Sequence, residues 1–156
     1  MPVTVQSQNE VYRDLKAAFD RDGIRSAVAF LNSITPYRFT SLYRFEGEML
    51  HNITFYDRDN PDETSCEDIP VEASFCVFVR DTEAVFLTTD SESDRRLTSH
   101  PKRGIVKRYC GVPLLDSSGQ MFGSICHFDL EPGEIDERDV EALEYMASVL
   151  QPGLGD

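Results

Sequence analysis

The stretch YCGVPLLDSSGQMFGSICHFDLEP, residues 109–132, decides the fold. It reads as two apolar strands, residues 105–115 and 120–130, joined by Asp116-Ser117-Ser118-Gly119. Asp and Ser side chains bond back to a local turn, and Gly tolerates positive φ. Gly123 inside the second strand marks a bulge or a close backbone approach. Cys126-His127-Phe128-Asp129 then sets a thiol, an imidazole and a carboxylate on a strand that would otherwise be plain core. Strand alternation puts Ile125, His127 and Asp129 on one face and Phe122, Cys126 and Phe128 on the other. On the preceding strand, Tyr109 and Gly111 oppose Cys110 and Val112. Cys126 is expected in the core.

Outward from this hairpin, residues 38–45 and 49–56 read as a second antiparallel pair turning at Glu46-Gly47-Glu48. Residues 57–68 are polar, contain Pro61 and predict an exposed loop. Residues 71–79 fit either a helix or an apolar strand, since periodicity alone does not separate them. Residues 84–87 predict a short strand, and Ser91 followed by Asp94 opens a short helix. Residues 97–104 predict a loop. Helical stripes occur at residues 9–20 (Val11, Leu15, Ala18, Phe19) and again from Ile24 to a stop at Pro36. The last helix begins at Asp136, a good N-cap, flanked by Ile135 and Val140 as a hydrophobic staple; Val140, Leu143, Ala147 and Leu150 form its apolar face, and Pro152-Gly153 is expected to end it. The order predicts an α+β domain on one antiparallel sheet, with the terminal helices sharing one face.

With 156 residues the chain makes one domain, residues 1–156, with a real core. The formal net charge of -13 argues against nucleic acid and anionic membrane surfaces, which need basic footprints. No apolar run reaches membrane-helix length, and the first residues lack a secretory signal, so a cytoplasmic location with reduced thiols is expected. The 4 cysteines, Cys66, Cys76, Cys110 and Cys126, include no C-x-x-C pair, so no metal site is expected.

Ser74-Phe75-Cys76, Val85 to Asp90, Tyr109-Cys110-Gly111-Val112-Pro113-Leu114 and Phe122-Gly123-Ser124-Ile125-Cys126, with a closing amphipathic helix, together resemble a GAF domain over residues 24–150. The resemblance implies the PAS/GAF superfold: a central antiparallel sheet, terminal helices on one face, and a ligand pocket of short helices and loops on the other. It implies a helix over residues 75–80. It also implies a bacterial sensory or regulatory module that binds a small molecule and pairs through its helices as a homodimer. No output domain is expected after the last helix, so a separate partner would receive the signal.

Phe75, Asp90, Arg95, His100, Tyr109 and His127 are the candidate ligand residues. Arg95, Arg96, Lys102 and Arg103 are chemically able to meet a phosphate, but the cyclic-nucleotide GAF signature has no counterpart here. Cys126-His127 has the letters of a bilin-attaching Cys-His, yet lies on a predicted strand where the photoreceptors use a helix; no bilin or other cofactor is expected. The alternative is redox chemistry. Cys66-Glu67-Asp68-Ile69-Pro70-Val71, followed by Cys76, resembles free methionine-(R)-sulfoxide reductases, which are stand-alone GAF domains. Cys66, Cys76 and Cys110 are the residues such a reading would use. Those enzymes attack with a further cysteine on a loop before the Y-x-G-x-P-L-like strand. An ungapped count puts that place near Lys102, and no cysteine lies between Cys76 and Cys110. The expectation is therefore a binding module without catalysis of its own; a dimeric scaffold with a filled pocket is the third reading.

Overall fold

The computed structural model describes residues 8–63 and 66–154. The first residues, read above for a secretory signal, lie outside that range. Strands β1 (Phe39–Glu46), β2 (Met49–Asp57), β3 (Ile69–Pro70), β4 (Phe86–Thr88), β5 (Arg108–Leu115) and β6 (Met121–Asp129) form one sheet in the order β3-β2-β1-β6-β5-β4. Every neighbouring pair is antiparallel. Helices α1 (Gln8–Asp22), α2 (Ile24–Ser33), α3 (Cys76–Thr82) and α4 (Glu137–Leu154) complete the expected α+β architecture.

The sheet separates two cores. On one face Leu15, Ala27, Leu31, Leu143, Met146 and Leu150 of the long helices pack on Leu42, Cys110, Val112 and Ile125. On the other, Tyr43, Leu50, Tyr109 and Cys126 pack under Val71, Phe75, Cys76, Val79 and Leu97, which belong to the irregular segment between β2 and β5. Central strands buried on both faces carry little polar alternation, and Phe39 to Tyr43 of β1 are all buried. Gly23 turns the chain between α1 and α2 at φ 93, a conformation that favours glycine.

Several boundaries differ from the sequence reading. β5 starts at Arg108, because residues 101–106 form turns that leave Ile105 56% exposed. The short strand sits at Phe86–Thr88. The cap of the following 3-10 turn, Arg95–Leu97, is Asp94, whose carboxylate accepts from the Arg96 N–H; Ser91 instead bonds the Val106 carbonyl. Asp57 ends β2 as a buried residue rather than starting an exposed loop, held by two bonds from the Arg38 guanidinium. α4 continues to Leu154 through Pro152, since a proline in the last turn removes only one backbone bond.

Gly123 satisfies both sequence expectations. The β5–β6 register slips beside it, from Leu114↔Gly123 to Leu115↔Met121, leaving Phe122 as the bulged residue. A Cβ at Gly123 would lie 2.0 Å from the Tyr43 carbonyl oxygen of β1. The extra residue also reverses the alternation. Phe122 therefore packs with the helix-side core, under the Arg44 guanidinium, and not beside Cys126 and Phe128.

Candidate functional site

A cavity of about 320 Å³ opens between the sheet face without long helices and the segment that covers it. β1 supplies Phe39 and Tyr43, β2 Phe55, β5 Tyr109, and β6 Cys126 and Phe128. The cover adds Cys66, Glu67, Ile69, Ser74, Phe75, Lys102 and Val106. The walls are aromatic and aliphatic, and among the described side chains only Ser74, Glu67, Lys102, the tyrosine hydroxyls and two thiols offer polar atoms. Enclosed, mainly apolar clefts of a few hundred Å³ with a few polar groups are the usual form of small-molecule sites.

Thiols and hydroxyls gather at one end. The Ser124 hydroxyl donates to Cys76 Sγ at 3.2 Å, and the Tyr109 hydroxyl lies 3.2 Å from the same sulfur. The Tyr43 hydroxyl is 3.5 Å from Cys66 Sγ. Burial opposes charge on Cys76, but donors from Cys126, Ser124, Ser74 and Tyr109 outweigh it and push its pKa down. Burial and the neighbouring Cys76 push the Cys126 thiol up. Burial also raises Cys66, eased by the Tyr43 hydroxyl.

The candidate residues divide. Phe75, Tyr109 and Cys66 line the cavity, and Cys76 lies directly behind Tyr109. His100 stands behind Phe75, with ring centroids 4.7 Å apart. Its Nδ1 accepts from the Lys102 N–H, so Nε2 carries the proton that reaches the Ser74 carbonyl at 3.1 Å. His100 thus fixes two cavity residues without entering the cavity. Asp90 accepts from the Glu92 N–H in a turn, and Arg95 is exposed on the 3-10 turn; neither lines the cavity. Arg96 stacks on Phe86 and bonds Asp94, and Arg103 bonds the Ser91 and Glu92 carbonyls, so these two are spent on local structure, whereas Lys102 lines the cavity.

His127 must be moved to the opposite face. It pairs across the strands with Cys110, whereas Tyr109 pairs with Phe128. Its ring stacks on Tyr37 at 5.0 Å, and Nδ1 lies 2.7 Å from the Thr40 hydroxyl. That hydroxyl accepts from Asn32 Nδ2, so it donates to Nδ1 and leaves the proton on Nε2, which is buried without a partner. Burial holds the His127 pKa down to about 3. Cys110 shares this helix-side core near the Tyr37 hydroxyl, where burial pushes its thiol up to about 12. It therefore lies apart from Cys66 and Cys76. Cys126 is buried in the core as expected, and it also borders the cavity.

A larger cleft of about 720 Å³ lies on the helix side, among Tyr12, Pro36, Glu134, Asp136, Arg138 and Asp139. Asp139 is only 7% exposed and its Oδ2 has no partner. Burial, then the charge of Asp136, pushes its carboxyl up to about 6. Four charged residues share its wall with Val11, Ile34, Ile135 and Ala142, so the cleft mixes apolar and charged lining. Among the described residues no group of His, Cys, Asp and Glu is arranged to hold a metal ion, and no helix is long and apolar enough to cross a membrane.

No protein-family model matches the chain. An 85-residue stretch is 34% identical to a cyclic di-GMP phosphodiesterase of Pseudomonas aeruginosa; it covers 52% of this chain and 14% of that protein. Among solved structures, the GAF domain of an Acinetobacter phosphoenolpyruvate-protein phosphotransferase superposes with a TM-score of 0.75 at 13% identity, covering 92% of this chain and 90% of that one. The free methionine-R-sulfoxide reductase of Neisseria meningitidis, solved with its substrate, superposes with a TM-score of 0.73 at 16% identity, covering 92% and 86%. A reduced reductase of Staphylococcus aureus gives 0.70 at 14% identity, covering 93% of each chain. The chain has the GAF-like fold that the motifs implied.

Proposed function

We propose that this protein is a sensory or regulatory unit that binds a small, mainly apolar molecule in the 320 Å³ cavity and passes the signal to a separate protein. The cavity carries the reading: aromatic walls suit an apolar body, and Glu67, Lys102 and Ser74 at its edge suit one polar or charged end. The partial identity to a much longer signalling enzyme supports an input role, since the likeness covers a small share of that enzyme. A thermal-shift screen of metabolites tests it. A ligand at one hundred times its Kd adds about 2.7 kcal/mol, enough to raise Tm by several degrees. If no ligand raises Tm, the cavity is filler and the chain is a scaffold. We also propose a homodimer paired through the long helices, which sedentary monomer mass in analytical ultracentrifugation at micromolar concentration would refute.

One observation favours a second reading, reduction of free methionine sulfoxide. Cys66 and Cys76 keep the spacing of those reductases, Cys66 on the cavity wall and Cys76 bonded to the Tyr109 hydroxyl behind it. Lys102 lines it near the place where they carry the attacking cysteine. A lysine ammonium has no means of attacking the sulfoxide as a thiolate does. Purified protein with thioredoxin and its NADPH-dependent reductase is expected to leave methionine sulfoxide unreduced; turnover would replace the sensory reading with the enzyme.

A further inference from the structure

We infer that the cavity takes an aromatic monocarboxylate, its ring among the aromatic walls and its carboxylate on the Lys102 ammonium and the Ser74 hydroxyl. The inference rests on the cavity reading above and names the class of ligand. Two ionic side chains line the cavity, and they differ in setting: Glu67 is exposed, whereas Lys102 is half-buried. The basic residues near Lys102 are engaged, Lys107 with the Glu92 carboxylate and Arg103 with the Ser91 and Glu92 carbonyls. Among the described residues no carboxylate pairs with Lys102. A half-buried ammonium beside apolar walls gains most from an anion that brings its own apolar body.

His100 builds the anion end. Its Nδ1 accepts from the Lys102 N–H at 3.0 Å, and its Nε2 donates to the Ser74 carbonyl at 3.1 Å. One imidazole thus holds both residues by their backbones and leaves both side chains to the cavity they line. The Ser74 hydroxyl accepts from the Cys76 N–H at 3.1 Å. A hydroxyl proton rotates, and a carboxylate oxygen is a better acceptor for it than the Cys76 sulfur. One ammonium and one hydroxyl suit a single negative charge. With Glu67 on the same wall to repel a second, phosphates and dicarboxylates fit less well. The walls select the body. Phe39 stacks on Phe128 with centroids 4.7 Å apart, and Phe75 meets Tyr109 edge-on at 5.7 Å. A flat ring extends both kinds of contact and gains more from them than an alkyl group of equal area. The net charge of -13 repels anions at long range, but physiological salt screens that field beyond about 8 Å.

The experiment titrates phenylacetate, its neutral amide phenylacetamide, the cation phenethylammonium and the non-aromatic cyclohexylacetate into the full chain by calorimetry. Phenylacetate is expected to bind about tenfold tighter than the amide or the cation, the weight of one hydrogen bond to a charged group, and tighter than cyclohexylacetate. Lys102→Met is expected to bring phenylacetate down to the affinity of the amide and to leave the amide unchanged. Lys102→Arg is expected to keep most of the preference. Equal binding of acid and amide, or a tighter cation that Glu67→Gln weakens, would overturn the inference and keep the cavity reading, since a ligand still enters. Cyclohexylacetate bound as tightly as phenylacetate would overturn the aromatic class. A preference for phenylacetate that survives in Lys102→Met would overturn the role of the lysine. If none of the four binds, the inference falls; the cavity reading falls with it only where the metabolite screen is blank as well.

Discussion

Two glycines show how single residues set this site. A Cβ at Gly111 would lie 2.3 Å from the Tyr109 hydroxyl, because the Tyr109 ring lies along its own strand over the bare glycine toward Cys76. A Cβ at Gly123 would lie 2.0 Å from a backbone carbonyl of β1. The same substitution should therefore act differently at the two places. Gly111→Ala pushes aside a side chain that can turn; a loss of about 1–3 kcal/mol and a faster-alkylating Cys76 are expected. Gly123→Ala forces two strands apart, and a loss of about 3 kcal/mol or more is expected. Urea unfolding of both variants checks the order, and equal losses would refute this account of Tyr109. Phe75 and Tyr109 were legible as site candidates through the motifs around them. Phe39, Tyr43 and Phe55 were not, since an aromatic residue on a strand reads as core whether or not a cavity lies above it.

At the scale of elements, most strands and helices were legible from periodicity, and the register between strands was not. Tyr109 and His127 each sit on a correctly alternating strand, but the pairing sets Tyr109 against Phe128 and Cys110 against His127. Odd-numbered residues on β5 thus share a face with even-numbered ones on β6, and His127 leaves the pocket while Cys126 enters it. A one-residue slip exchanges every side chain between the faces, and the bulge at Phe122 that fixes the slip is invisible to alternation. Residues 71–79 stayed ambiguous because their apolar run is buried on nearly every side, with Val71, Phe75, Cys76 and Val79 all in one core. Capping was more local and more legible. Asp136 Oδ1 accepts from the Arg138 N–H at 2.9 Å, as an N-cap should. Asp136→Ala is expected to cost about 1 kcal/mol in urea unfolding, while Asp136→Asn, which keeps the acceptor, costs little. Equal losses in both variants would mean that charge, and not the cap bond, carries the effect.

Across the whole molecule, two buried groups on the helix side respond to pH in opposite senses. His127 has its folded pKa lowered to about 3 by burial, with the Arg58 charge adding to it. It contributes stability that is fully present above about pH 6.5 and is lost as pH falls toward about 3. His100 is shifted down as well, also by burial first, and adds in the same direction. Asp139 has its folded pKa raised to about 6 by burial and then by Asp136, with Arg108 and Arg138 opposing. For an acid held above its unfolded value the folded state keeps the proton longer, so stability falls as pH rises from about 4 to about 6. Lowered carboxyls, Asp57 beside Arg38 and Asp94 beside Arg96 at about 2, add losses only on further acidification. Two substitutions separate the effects. Asp139→Asn is expected to stabilise the protein by about 1–3 kcal/mol near neutral pH, with the gain vanishing near pH 4, because the carboxylate's unpaired Oδ2 no longer has to ionise in place. His127→Gln is expected to flatten the fall in stability between about pH 6.5 and 4.5, at some cost in packing against Tyr37. Urea unfolding of the wild type and both variants across this range checks them together. A wild-type slope that His127→Gln leaves unchanged would assign the acid response to His100 and the lowered carboxyls instead, and an Asp139→Asn gain that persists at pH 4 would trace it to packing instead of charge.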